Sequence, residues 1–229
     1  MRQYSLLIIL VLSVFIRCSS DNITDPVPDT VTDIDGNIYN TIKIGGQWWL
    51  AENLKATRYR NGDPIPNVTR GSEWADLSTG ACCAYDNNES NADIYGLLYN
   101  WHAVDDSRNI APEGWHVPTD DEWEELVNYL GGETVAGGKL KEAGYDHWMN
   151  PNTAATNEYE FTALPGGIRY VQPTDTGFLK IGDNAWLWSS TEGGSDDAWS
   201  RSLYHLYSTV GRGDYNRHYG FSVRCIRDN

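Results

Sequence analysis

Gly114-Trp115-His116-Val117-Pro118-Thr119-Asp120-Asp121-Glu122-Trp123 is the stretch on which the reading of this chain turns. Thr119 is a good helix N-cap and Glu122 stands three residues later, so each side chain can satisfy an orphan amide of the other's backbone in a capping box. Asp120, Asp121 and Glu122 put negative charge in the first turn, where the helix dipole favours it. Trp123, Leu126, Val127 and Leu130 then recur at the i, i+3, i+4, i+7 spacing of a helix with one buried face. Gly131-Gly132 stops it. The sequence therefore predicts a helix over 119–130.

Outward from that helix the pattern belongs to strands and turns. Asp35-Gly36 and Gly45-Gly46 each separate two short apolar runs as two-residue hairpin signals, so the domain opens as a meander. Residues 57–94 show little periodicity and read as loop with short strands, and 95–101 as a strand or short helix in the core. Residues 135–144 fit a second, shorter helix with Leu140 inward and Lys139, Lys141 and Glu142 solvated. Further strands are expected at 159–164, 168–171, 178–181, 184–188, 198–206 and 219–226. With 22 Gly and few long periodic segments, residues 31–229 read as a single α+β domain. It is expected to have mainly antiparallel strands, two helices and long loops.

Eight blocks in a fixed order carry a resemblance. They are residues 31–39 (VTDIDGNIY), 44–54 (IGGQWWLAENL), 95–101 (YGLLYNW), 117–123 (VPTDDEW), 138–142 (GKLKE), 163–169 (ALPGGIR), 188–192 (WSSTE) and 220–225 (GFSVRC). Together they resemble the Fibrobacter succinogenes major paralogous domain family. That resemblance implies a C-type-lectin-like fold shared with the formylglycine-generating enzymes: terminal strands paired, two helices and a loop-rich upper half. Those enzymes need a reactive cysteine pair near the C-terminus. Here Cys225 stands alone among alternating apolar residues, so a structural role is expected and no catalytic residue is assigned. No Gly-x-Ser-x-Gly elbow, phosphate loop or His-Glu-x-x-His motif is present. Calcium-dependent sugar sites of the fold class use a Glu-Pro-Asn or Gln-Pro-Asp loop with a Trp-Asn-Asp strand. This chain offers only Gln172-Pro173-Thr174-Asp175, broken by Thr174, so neither a metal site nor a cofactor is expected. Asp33 to Asn37 looks faintly like a calcium loop, but a hairpin turn explains it more simply.

Residues 1–17 read as a signal peptide, with Arg2 ahead of the apolar run 6–16, and 18–30 as a lipid attachment site at Cys18 followed by a flexible tether. Arg17 departs from the small residue usual before a lipidated cysteine. The Ser19 to Asn22 run resembles the surface-export signal of some Bacteroidetes lipoproteins. The expected location is the outer membrane or cell surface. The chain carries 17 Lys+Arg against 32 Asp+Glu, a net charge of −15; loss of Arg2 and Arg17 leaves 15 against 32, or −17. Such a domain is a poor partner for nucleic acid, and membrane contact is expected only through the lipid. The three remaining cysteines form an odd set; Cys225 is expected to bridge to Cys82 or Cys83, with the other free.

Residues 195–219 are the most suggestive segment. After Trp199 it lacks Glu, Lys, Gln, Met and Trp and is rich in Tyr, Ser, Asp, Gly, Arg, His and Asn, the composition of an adaptable paratope. An ordinary hairpin with tyrosines on its face has the same look. The candidate ligand-binding residues are Trp199, Tyr204, His205, Tyr207, Arg212, Asp214, Tyr215, Arg217 and His218. The function expected is a non-catalytic, surface-displayed domain that recognises an extracellular protein or glycan through the 199–219 face. Alternatives are a carbohydrate-adhesion module for polysaccharide use, a protein whose 195–219 segment is diversified by a retroelement, an appendage component, or an enzyme of the formylglycine-generating type.

Overall fold

The structure, a computed structural model, describes residues 30–171 and 177–228. The expected signal peptide, Cys18, nearly all of the tether, and the Gln172 to Asp175 run lie outside the described residues. Two five-stranded sheets carry the fold. In the first, β1 (Thr30–Thr32), β2 (Ile38–Ile44) and β3 (Gln47–Leu50) form the expected antiparallel meander. Asp35-Gly36 turns the first hairpin because the Asp33 carboxylate accepts from the backbone N–H of Asp35 and Asn37 and from the Tyr39 hydroxyl. These bonds account for the Asp33 to Asn37 motif as a turn. A two-stranded ladder, β4 (Cys82–Cys83) with β5 (Leu98–Tyr99), follows β3 in the chain. The short strand β6 (Trp115–His116) completes the first sheet, and the C-terminal strand β12 (Ile226–Arg227) slots between β3 and β6.

The second sheet runs in the order β11 (Val210–Asn216), β10 (Asp197–Tyr204), β9 (Asn184–Glu192), β7 (Gly166–Arg169), β8 (Phe178–Ile181), antiparallel except where β7 meets β9. Helix α4 (Asp120–Tyr129) starts as expected: the Thr119 hydroxyl accepts from the Glu122 N–H and the Glu122 carboxylate accepts from the Thr119 N–H. Its Trp123, Leu126 and Val127 pack with Trp49, Phe161, Leu187 and Leu203 in a core between the sheets. Helix α5 (Glu133–Leu140) follows after Gly131-Gly132.

Several expectations are corrected. Residues 57–94 hold two short helices, α1 (Gly71–Ala75) and α2 (Glu89–Tyr95), and α3 (Trp101–Val104) follows. The first two lack a periodic apolar stripe: α1 buries only Trp74 and α2 buries nothing. Residues 159–164 are not a strand, since Glu160 and Thr162 adopt left-handed φ of 59° and 51°. The buried Arg224 guanidinium takes the Phe161 and Thr162 carbonyls that a ladder would use. Residues 219–226 make only isolated bridges before β12. Lys141, expected in solvent, is fully buried.

The expected bridge from Cys225 to Cys82 or Cys83 is also absent. All three are buried free thiols. Strand alternation separates the adjacent pair, sending Cys82 into the main core with Cys225 and Cys83 into a smaller cluster with Trp74 and Tyr85. Burial pushes the Cys82 and Cys83 thiols up to about 12 and about 11, and raises that of Cys225 further.

The C-terminus is tied down through His116. Its Nε2 meets the Glu122 carboxylate at 3.0 Å and its Nδ1 meets Asp228 at 2.6 Å. The Glu122 hydrogen bond, reinforced by Asp228, outweighs burial and raises the imidazole's pKa above its ordinary value. A raised histidine stabilises the fold fully below its unfolded pKa, about 6.5, and the contribution is lost as pH rises through the higher folded value. With both partners partly exposed, His116→Ala should cost about 1 kcal/mol at pH 6 and almost nothing at pH 9. Urea unfolding of both proteins at the two pH values checks this; a pH-independent difference would show that the pair contributes packing alone.

Candidate functional site

The 199–219 segment is a hairpin, β10 against β11, with Trp199 opposite Asp214, Arg201 opposite Arg212 and Ala198 opposite Tyr215. Alternation divides its residues between two faces. One face carries Trp199, Asp214, Arg201, Arg212, Leu203 and Val210 toward helices α4 and α5. The other carries Ala198, Ser200, Ser202, Tyr204, Gly211, Gly213 and Tyr215 alongside Trp186 and Trp188 of β9.

Three clamps hold this hairpin. In its middle, Asp120 accepts from Arg201 Nη1 and from Arg212 Nε and Nη2, the last at 2.6 Å, while its own N–H donates to Thr191 Oγ1. Burial alone would raise the Asp120 carboxyl, but the two arginines outweigh it and hold it below the ordinary aspartate range. Arg212 also lies 3.7 Å above the Trp199 ring. At the turn, Lys141 Nζ donates to the carbonyls of Thr153, Tyr204 and Tyr207 at 3.0, 3.0 and 2.9 Å. Gly137 and Gly138 let the backbone dock there: a Cβ on Gly137 would stand 2.3 Å from Thr209 O, and one on Gly138 2.4 Å from Ala154 O. At the far end, the Arg217 guanidinium covers the Trp101 ring at 4.6 Å and donates to Glu192.

The nine candidate residues therefore do not form one cluster. Trp199, Arg212 and Asp214 share the helix-side face, with Arg212 already engaged by Asp120. His205 lies at the turn, between Asp183 and the Asn150 carbonyl. Tyr207 is exposed there, 6.3 Å ring to ring from Tyr204. Arg217 and His218 lie at the far end, where His218 meets His102 edge to face at 5.3 Å. Burial, then His218 and Arg217, push the His102 imidazole below its ordinary value.

Tyr204 and Tyr215 remain on the β9-side face, half-buried, and there the structure adds residues that composition did not single out. Tyr204 packs edge-on against Trp186 at 5.5 Å, and Tyr215 against Phe221 at 5.6 Å, with Tyr219 beside both Tyr215 and Phe221. The period-two run Ala198, Ser200, Ser202, Tyr204 is the signal that could have found this face. Trp186, which completes it, comes from a different part of the chain. Among the described residues no trio of His, Cys, Asp or Glu is placed to hold a metal ion, and no helix is long and apolar enough to cross a membrane.

Neither the curated proteins nor the solved structures provide a match. A family does: the Fibrobacter succinogenes major domain matches residues 42–227, from within β2 to the end of β12. That span takes in the whole second sheet with its hairpin and the first sheet from within β2 onward, and so the chain belongs to the Fibrobacter succinogenes major domain family.

Proposed function

We propose that this protein is a non-catalytic, C-type-lectin-like binding domain, exported and carried on a lipid at Cys18, that holds an extracellular protein or glycan on its β10–β11 hairpin. The fold reading is supported by a C-terminal strand paired beside the N-terminal meander, and by two main helices packed against a second, loop-connected sheet. The observation that carries the binding reading is the clamped hairpin. Asp120, Lys141 and Arg217 hold its middle and both ends, so the half-exposed tyrosines are presented with little entropy left to lose. A binding role is also favoured over cysteine chemistry because all three thiols of the described residues are buried and raised in pKa, away from the thiolate a nucleophile requires.

The test is a paired screen of the full chain on a glycan array and on a panel of extracellular proteins. It is repeated with Tyr204→Ala and Tyr215→Ala, and with Ile38→Ala on the first sheet as the control. Aromatic anchors at a binding centre typically cost 2 kcal/mol or more on truncation, so each tyrosine variant should lose at least about tenfold in affinity. A ligand held equally well by all three variants would remove the hairpin from the site.

A further inference from the structure

An open sheet edge is a row of unpaired amides and carbonyls on which another strand can build, so natural sheets keep their edges short or blunted. Three of the four outer strands of the two main sheets follow that rule. β1 has three residues, β6 has two, and β8 has four, of which Lys180 takes a left-handed φ of 71°. The fourth does not. β11 is seven residues long, contains neither Pro nor Lys, and runs along β10 without a break in register. On its far side it meets no strand, and the outward amides and carbonyls of residues 210–215 have no backbone partner among the described residues.

The side chains of this edge are disposed symmetrically about its midpoint. In Val210-Gly211-Arg212-Gly213-Asp214-Tyr215-Asn216 the centre is Gly213, flanked by a base and an acid. A second copy laid antiparallel along β11, with the two-fold axis at Gly213, sets Arg212 of each chain opposite Asp214 of the other. Centring the axis on Arg212 or on Asp214 would instead put like charges face to face, so charge selects the register. Both members of the pair are available. Asp214 is exposed and makes no hydrogen bond or ion pair among the described residues. Arg212, also exposed, uses Nε and Nη2 on Asp120 and leaves Nη1 without an acceptor among the described residues.

The opposite face of the edge fits the same axis. Tyr215 leans back along its own strand, so that a Cβ on Gly213 would stand 3.0 Å from its ring. In the centred register Gly211 of one copy faces Tyr215 of the other, and the two rings converge over the glycines beside the axis. An unrelated strand would have to supply this spacing of acid, base and aromatic by accident, whereas a second copy supplies it by symmetry. One strand from each partner makes a small interface, so the association should be reversible.

We propose that β11 is a self-association edge, through which two copies of this chain join their five-stranded sheets around a two-fold axis at Gly213. The pair would carry its two hairpins side by side, and a ligand with repeated epitopes would be gripped twice. The association does not rest on the binding reading above, and the two are measured separately.

The experiment is sedimentation equilibrium of the full chain from about 1 μM to about 1 mM, beside Asp214→Arg, which turns both cross-strand ion pairs into like-charge pairs. The wild type should pass reversibly from monomer to dimer, and the dimer of Asp214→Arg should be at least about tenfold weaker. Oxidation of Gly213→Cys tests the axis itself. Residues directly opposite in an antiparallel pair have Cα atoms roughly 4.5–5.5 Å apart, within disulfide range, so this variant should give a covalent dimer. Ile38→Cys, exposed on the first sheet, and the wild type, whose Cys82, Cys83 and Cys225 are buried, set the background. Should Gly213→Cys fail to fold, amide exchange along β11 at low and high concentration replaces it, with alternate amides slowed on association. A chain still monomeric at the highest concentration overturns the inference. So does a dimer indifferent to Asp214→Arg, a covalent yield for Gly213→Cys no higher than that of Ile38→Cys, or exchange along β11 that ignores concentration.

Discussion

Asp120→Ala should lower the stability of the folded chain by about 3–5 kcal/mol, with a Tm fall on the order of 10 °C. Among the described residues the carboxylate is the only acid bonded to Arg201, which is 2% exposed, and besides it Arg201 reaches the Ser200 carbonyl and the Asp120 carbonyl itself. Removing the acid leaves a guanidinium buried without a counter-charge, the costly way to break such a pair. Arg212 is in a different position: its side chain is 36% exposed and rests on Trp199, so water and the indole take over part of its solvation. Double-mutant cycles should therefore give a larger coupling for Asp120 with Arg201 than with Arg212. Because the arginines hold the carboxyl below the ordinary aspartate value, its contribution is present above the unfolded pKa of about 3.9 and disappears as pH falls through the lower folded value. Denaturant titrations of Asp120→Ala and Asp120→Asn at pH 7 and pH 3 measure all of this. A loss below about 1 kcal/mol at pH 7 would mean that Asp120 does not anchor the hairpin.

That anchor also shows how far local signals reach. The α4 start was legible because Thr119 and Glu122 are three residues apart and satisfy each other without help from the rest of the fold. The first two hairpins were legible for a similar reason, each turning on an Asp-Gly or Gly-Gly pair. Strand β11 was not: Val210-Gly211-Arg212-Gly213-Asp214-Tyr215-Asn216 has low strand propensity and becomes a strand by pairing along β10. The placement of Arg212 was equally hidden, since its partner Asp120 lies 92 residues away and first appears as a residue of the helix start. For the site, composition pointed to the right hairpin but could not say which face each residue occupies. The aromatic side of the hairpin is completed by Trp186 from the preceding strand, and no periodicity within 195–219 contains it.

Lys141→Met should cost about 3 kcal/mol at pH 7 and should loosen the turn at residues 204–207 more than any other part of the sheet. The two side chains have similar length and the site is fully buried, so the substitution keeps most of the packing and removes the donors. Three backbone carbonyls, of Thr153, Tyr204 and Tyr207, then lose the donor of a buried side chain, at about 1 kcal/mol each. Burial pushes the ammonium down to about 8, so the folded chain holds its proton less tightly than the unfolded chain does. A depressed lysine makes the fold gain stability as pH rises from about 8 toward the ordinary value of about 10.4, and the wild type should draw further ahead of Lys141→Met across that window. Chemical unfolding at pH 7 and pH 9.5, with amide exchange at Tyr204 to Tyr207, reads both effects. A cost under about 1 kcal/mol, or a gap that narrows above pH 8, would contradict the assignment. The same contacts tie stability to recognition, because Lys141 fixes the carbonyl of Tyr204 while the ring of Tyr204 leans on Trp186. Ligand affinity should accordingly fall in Lys141→Met even though no atom of residue 141 lies on the proposed binding face.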